Sequence, residues 1–153
     1  MIYKQLILIG KEKIMRILGI DYGDARVGIA VTDIMGFMAN GVKTIKNKGT
    51  KKLLEELQLV LKEYNPEKIV VGLPKNMDGT EGFRVDATYE FVENLKTIYS
   101  GEVILQDERL TSMEAKRYLC ETNTFGKKRK DVLDTVAATL ILEQYLNSSK
   151  NNQ

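Results

Sequence analysis

The chain contains no histidine, no tryptophan, one cysteine and two prolines in 153 residues. Without histidine, the chain itself cannot supply a Ser-His-Asp or Cys-His nucleophile pair, an imidazole general base or a histidine-ligated metal. The lone Cys120 permits no internal disulfide and no cysteine-rich zinc site, which fits a reducing, cytoplasmic setting. With no histidine to activate it, Cys120 reads as a small buried residue on a helix rather than a nucleophile. No apolar run approaches the ~18 residues of a membrane span. Near the start, Leu6-Ile7-Leu8-Ile9 is shorter than a signal-peptide core. A formal net charge of +2 gives no global pull toward nucleic acid, so any such binding needs a local patch.

The composition is otherwise that of an ordinary globular domain: 43% of residues are hydrophobic and 29% charged, at a length able to bury a core. The organising stretch is Arg16-Ile17-Leu18-Gly19-Ile20-Asp21-Tyr22-Gly23, a short apolar strand that runs into a carboxylate. Met15 stands directly before it. It reads as the natural start, with residues 1–14 a disordered extension or start-site artefact, 15–147 the domain and 148–153 a fraying tail.

After the turn at Tyr22-Gly23-Asp24-Ala25, Val27, Ile29 and Val31 alternate with small residues. A turn this short joins two strands into an antiparallel hairpin. Gly36 to Ile45 continues the meander as a third strand. Thr50 is expected to cap a helix to about Tyr64, with Leu53, Leu54, Leu57, Val60, Leu61 and Tyr64 on one face.

Each proline closes an element. Pro66 follows that helix, and Pro74 ends the continuous apolar strand Lys68–Leu73, the kind expected where both faces are covered. A helix from Glu81 to Tyr99 carries Phe83, Ala87, Phe91, Leu95 and Ile98. A fifth strand, Glu102–Gln106, ends at Asp107-Glu108. Thr111 and Glu114 form a capping box for a helix to Cys120. A polar, basic loop, Thr122 to Lys130, precedes a last helix from Asp131 to about Asn147. The order β-β-β-α-β-α-β-α-α predicts an α/β fold, a mixed sheet with helices on its faces.

Two strands therefore end in acids, and a third acid, Asp134, lies early in the last helix. That helix is apolar nearly all round, so it should be largely buried. A carboxylate there is costly unless it is paired or bound to a cation. The helix dipole offsets only ~0.3–1 kcal/mol of that cost, and Asp131 already occupies the expected cap. Three carboxylates without His or Cys form an all-oxygen set suited to Mg²⁺ or Mn²⁺. Two such ions ~3.5–4 Å apart can activate water and stabilise the leaving oxygen of a phosphodiester. Singly, an Asp at a strand end is more often a turn former, and an Asp early in a helix a dipole complement. Spacing alone does not choose between Asp107 and Glu108, because neighbouring strand residues face opposite ways.

Basic residues cluster at Lys43, Lys46, Lys48, Lys51 and Lys52 and again at Lys127-Lys128-Arg129-Lys130. Charge runs are usually solvated surface. The second run, however, directly precedes the helix of Asp134 and could hold a polyanion beside the acids. Phe125-Gly126 offers a stacking ring on a flexible hinge.

Four ordered stretches resemble the YqgF/RuvX family: Gly19-Ile20-Asp21-Tyr22-Gly23-Asp24-Ala25-Arg26-Val27-Gly28-Ile29-Ala30, then Val71-Gly72-Leu73-Pro74-Lys75-Asn76-Met77-Asp78-Gly79-Thr80-Glu81, then Asp107-Glu108-Arg109-Leu110-Thr111-Ser112, and Asp134-Thr135-Val136-Ala137-Ala138 after a basic loop. The resemblance covers Met15 to about Leu146. It implies a ribonuclease-H-like fold related to Holliday-junction resolvases, and a nuclease maturing the 5′ end of pre-16S ribosomal RNA. It assigns the catalytic and metal-binding triad to Asp21, Glu108 and Asp134, which settles the Asp107 ambiguity.

On this reading Mg²⁺ or Mn²⁺ is the cofactor, and Asp21, central on the first strand, is the candidate to bridge two ions. Arg26, Lys75, Lys127, Lys128, Arg129 and Lys130 are candidate phosphate contacts. The implied partners are nucleic acid, either precursor ribosomal RNA or branched DNA, and a ribosomal particle, with no membrane, for a monomer or homodimer. The nearest alternative is cleavage of four-way DNA junctions by a symmetric dimer. Gly-Ile-Asp-x-Gly on a first hairpin also suits an actin-like ATPase, but that fold needs two such lobes.

Overall fold

The computed structural model describes residues 15–74, 82–107 and 127–151, with the side chains of the last segment described for 133–149. Ile17–Tyr22 forms β1, Arg26–Thr32 β2 and Ala39–Lys46 β3, an antiparallel meander. Helix α1 (Thr50–Tyr64) leads to β4 (Lys68–Leu73), and α2 (Phe83–Leu95) lies between β4 and β5 (Glu102–Asp107) in the chain. Helix α3 spans Lys127–Asn151. The sheet runs β3-β2-β1-β4-β5, with β4 parallel to both β1 and β5. The central strand β1 therefore ends on the same edge of the sheet as β4 and β5, the edge where α/β folds collect their ligands.

Alternation along the strands divides the core in two. Leu18, Ile20, Val27, Ile29, Ile69 and Val71 face α1 and α2, and pack on Leu53, Leu57, Val60, Phe91, Val92 and Leu95. Ile17, Ala30 and Val70 face the other way, against Ala138, Ile141 and Leu142 of α3. The result is three layers, α1 and α2 on one side, the sheet, and α3 on the other. The start of β1 is pinned by its own neighbour: the Ile17 N–H donates to the hydroxyl of buried Thr32 at 2.8 Å.

Several boundaries differ from expectation. Gly49, not Thr50, holds the N-cap position of α1, its carbonyl accepting the Leu53 N–H at 3.0 Å, and no side chain caps the helix. Asn65 closes α1 in the left-handed conformation, φ 43°, which asparagine tolerates better than most residues. Helix α2 buries Val85, Thr88, Phe91, Val92 and Leu95, while Phe83 is 77% exposed. Phe83, Ala87, Phe91 and Leu95 make one possible stripe, but the buried stripe shares only Phe91 and Leu95 with it and is rotated by about a quarter of a turn, because Val85, Thr88 and Val92 follow a 3.6-residue period equally well.

Helix α3 begins at Lys127 rather than Asp131 and continues through Ser148 to Asn151. Lysine and arginine are good helix formers, so the basic run extends the helix backward at little cost, and Asp131 is an interior residue rather than a cap. At the other end, Ser, Lys and Asn lower helix propensity by only a few tenths of a kcal/mol each, so the helix outlasts its last packed residue, Leu146. The helix expected over 111–120, with Cys120, and the loop 122–126 lie outside the described residues.

Candidate active site

The register of the hairpin sets the site. Asp21 of β1 is paired directly opposite Gly28 of β2. Opposite residues in a sheet project from the same face, so the direction in which a side chain at 28 would point is the direction in which Asp21 does point. A Cβ built on Gly28 would collide with the backbone carbonyl of Asp134 and come within 3.1 Å of its Cβ. Helix α3 thus lies against β2 at Asp134, on the face and in the row that Asp21 occupies. The approach is possible because position 28 has no side chain.

The same device recurs along the helix. A Cβ on Gly19 would lie 2.9 Å from Leu142 Cδ1 and 3.0 Å from the Ala138 carbonyl oxygen. Ala30 sits between Gly19 and Gly41 in the next row of the sheet, and Thr135 packs over Gly41.

Asp134 is nearly buried, its side chain 14% exposed, and it is ion-paired. The guanidinium Nε of Arg26, at the start of β2, donates to Asp134 Oδ2 at 2.7 Å. Arg26 lies on the same strand face as Gly28, two residues before it. Its alignment therefore follows from the strand alternation that aims Asp21. This pair joins residues 108 apart in the chain. Asp21 itself is half-buried at the carboxyl end of β1.

The turn after Asp21 is tied down from β3's side. The Asn47 side-chain amide donates to the Gly23 carbonyl at 3.0 Å, and the Asn47 N–H donates to the Ala25 carbonyl at 2.9 Å. Beneath the turn, Tyr22 faces the other layer and stacks on Phe91, ring centroids 4.5 Å apart.

On β5, Ile104 packs with the α3-side cluster while Val103 and Leu105 pack with the opposite one. Alternation places Asp107 with Val103 and Leu105, on the face away from Asp134. Asp107 is thus set apart from the two other acids. Glu108 and Lys75 lie outside the described residues. Lys127, Lys128, Arg129 and Lys130 fall on the first turn of α3. Among the described residues, no group of three or more His, Cys, Asp or Glu side chains comes together as a metal cage. The chemistry in hand is two oxygen-donor side chains on one face, one of them oriented by an arginine.

Arg26, a candidate phosphate contact, engages the Asp134 carboxylate. The contribution of Asn47 was missed altogether. Its one sequence signal is its place in a loop-forming Asn-Lys-Gly run, which gives no hint of what it holds.

The family model described as "RuvX: Holliday junction resolvase" matches residues 15–148. A protein of Thermoanaerobacter pseudethanolicus named "Putative pre-16S rRNA nuclease" is 47% identical over 138 residues, covering 90% of this chain and 99% of its own. One of the same name from Clostridioides difficile is 46% identical over 137 residues, covering 90% and 97%. Among solved structures, Thermus thermophilus RuvC superposes with a TM-score of 0.54 at 16% identity, covering 88% of this chain and 97% of its own. The fowlpox virus Holliday junction resolvase gives 0.52 at 17% identity, covering 88% and 99%. At that identity the structural likeness speaks for the fold, which is ribonuclease-H-like. The ordered sequence stretches, the sheet order and the family match agree: this chain belongs to the RuvX family.

Proposed function

We propose that the protein is a metal-dependent endonuclease that hydrolyses phosphodiester bonds of RNA, acting in the cytoplasm on the 5′ end of precursor 16S ribosomal RNA. The observation that carries this is the convergence of Asp21 and Asp134 on one face at the carboxyl edge of the sheet, through the contact at Gly28. The family membership supports nuclease chemistry, and the relatives' names favour RNA over branched DNA.

In this reading Asp21 and Asp134 hold a divalent cation with Glu108, the residue that follows Asp107 in sequence. The donor set fits: carboxylate oxygens suit Mg²⁺ or Mn²⁺, and the chain has no histidine to favour a softer metal. The bound cation would supply Lewis acidity to the scissile phosphate. The protein's part is positional. Asp21 is fixed by β1, and Asp134 by the seating of α3 on Gly28. Arg26 holds the Asp134 carboxylate in one orientation and offsets part of the cost of its burial. Asn47 keeps the turn beyond Asp21 closed on β3.

The test compares wild type with Asp21→Asn and Asp134→Asn on labelled precursor RNA carrying the 16S 5′ leader and on a labelled four-way DNA junction. Each is run with Mg²⁺, with Mn²⁺ and with chelator. The expected result is metal-dependent RNA cleavage that both substitutions abolish, with unfolding midpoints near wild type. Undiminished cleavage in either variant contradicts the assignment. Paired nicking of the junction by a dimer, with the RNA left intact, replaces it with recombination chemistry.

A further inference from the structure

Beyond the carboxylates, the cleft between the end of β3 and the first turns of α1 has no role so far. It encloses about 350 Å³ and is lined by Thr44, Ile45, Lys46, Lys48, Lys52 and Glu56. We propose that this cleft grips the phosphodiester backbone of the nucleic-acid substrate to one side of the cleavage point, with Lys46, Lys48 and Lys52 as the phosphate contacts. The proposal rests on the reading of the Asp21–Asp134 site as a nuclease and names a binding surface for it.

The cleft's position follows from the register. Thr44 is paired with Gly28, which is paired with Asp21, so the three form one row across β3, β2 and β1. Lys52 and Glu56 close the cleft from α1, on the other side of the sheet edge, while two strand spacings put Thr44, a lining residue on the face of the acids, about 10 Å from Asp21. That is about three phosphates at ~3.4 Å of duplex axis per nucleotide of one strand. Lys46 is paired with Arg26 in the next row outward, toward the edge of the sheet where the acids lie. The segment is also fixed in place. Asn47, between Lys46 and Lys48, makes the two hydrogen bonds that clamp the turn after Asp21. A strand held by these lysines is therefore held relative to the carboxylates.

The charges are arranged for an outside anion. Lys46, Lys48 and Lys52 are exposed, and none forms an ion pair within the chain among the described residues. Among the described residues, Glu56 is the one carboxylate lining the cleft, set against three ammonium groups. Helix α1 carries Lys51 and Lys52 in its first turn, with no acidic residue there and no side-chain cap. Cations at the positive end of a helix dipole oppose stability, and a phosphate seated there would relieve that opposition. A merely solvated face has no reason to place its lysines where they oppose the helix.

The experiment measures binding of the leader RNA and of the four-way junction, in chelator so that cleavage cannot intervene, across a salt series. It compares wild type, K46Q/K48Q/K52Q, and a control, K62Q/K96Q, that removes exposed lysines elsewhere on the surface. Each lost contact should lower the slope of log affinity against log salt by ~0.7 on single strands and ~0.9 on duplex. The triple variant should therefore lose about 2 from that slope on single strands and about 2.7 on duplex. In metal it should need more substrate for half-maximal cleavage at an unchanged maximal rate. A drop with both substrates indicates recognition of the shared backbone, and a drop with one alone identifies the strand that lies in the cleft. A wild-type slope in the triple variant, or an equal fall in the control, overturns the proposal while leaving the nuclease reading intact. Lysine-dependent binding by a wild type that cuts neither substrate sustains the cleft and removes the nuclease.

Discussion

On the side covered by α1 and α2, the sheet presents Leu18, Ile20, Val27, Ile29, Ile69 and Val71; on the side covered by α3, the row beneath the helix is Gly19, Ala30 and Gly41, with Gly28 beside it. Branched side chains on the first face interlock with Leu53, Leu57 and Leu95, keep the helices at a distance and supply most of the buried apolar volume. Small residues on the second face remove that spacer, and the backbone of α3 comes down onto the strands. A short side chain such as Asp134 then reaches the sheet edge where Asp21 ends. One face is built for stability, and the other trades bulk for closeness. The division explains how so small a domain can keep a nearly buried carboxylate in place.

Paired substitutions test that division. Leu57→Ala, on the bulky face, should cost about 2–5 kcal/mol in urea unfolding by leaving a cavity. The folded fraction should keep wild-type specific activity. Gly28→Ala should cost less stability, about 1–3 kcal/mol of overpacking, yet lose most cleavage because α3 must shift at Asp134. If both variants lose activity only in proportion to stability, the faces do not differ in the way described.

A smaller effect probes the far end of the bulky face. Tyr99 donates its phenol to the Pro66 carbonyl at 3.0 Å. Burial first, and then the Glu67 and Glu102 carboxylates, raise its pKa above 10.0. The folded state therefore holds this proton more tightly than the unfolded one. The resulting stability is complete below pH 10.0 and is lost as pH rises through the raised value. Tyr99→Phe should cost about 1 kcal/mol near neutrality and make the alkaline decline shallower, with cleavage unchanged. An alkaline decline as steep as wild type's would assign it to other groups.

How much of this could be read in the sequence depended on range. The strands and the α1 helix were legible because period and apolar runs are local signals. So was Asp21's place at a strand end. Helix limits were less so: Asp131 resembles a cap, but the lysines before it are equally content in a helix. Phe83 was misassigned because two stripes on α2 fit one period. What was not legible is what depends on register. Gly28 looks like any small residue alternating along β2, and nothing near it in sequence announces that Asp134 will lie over it. The Arg26–Asp134 pair and the Asn47 clamp are likewise products of strand pairing. Asp107 and Glu108 could be told apart only through the family resemblance, and the structure adds that Asp107 faces away from Asp134.

The most direct measurement is Mn²⁺ binding in solution, followed by calorimetry or by the loss of the free ion's paramagnetic signal. It would be made on wild type, Asp21→Asn and Asp134→Asn without nucleic acid. If the packing of α3 on Gly28 brings these two carboxylates to one cation, wild type binds saturably and each substitution alone removes most of the affinity. Affinity unchanged in either variant would mean that the two acids do not share an ion, and the central claim would fall.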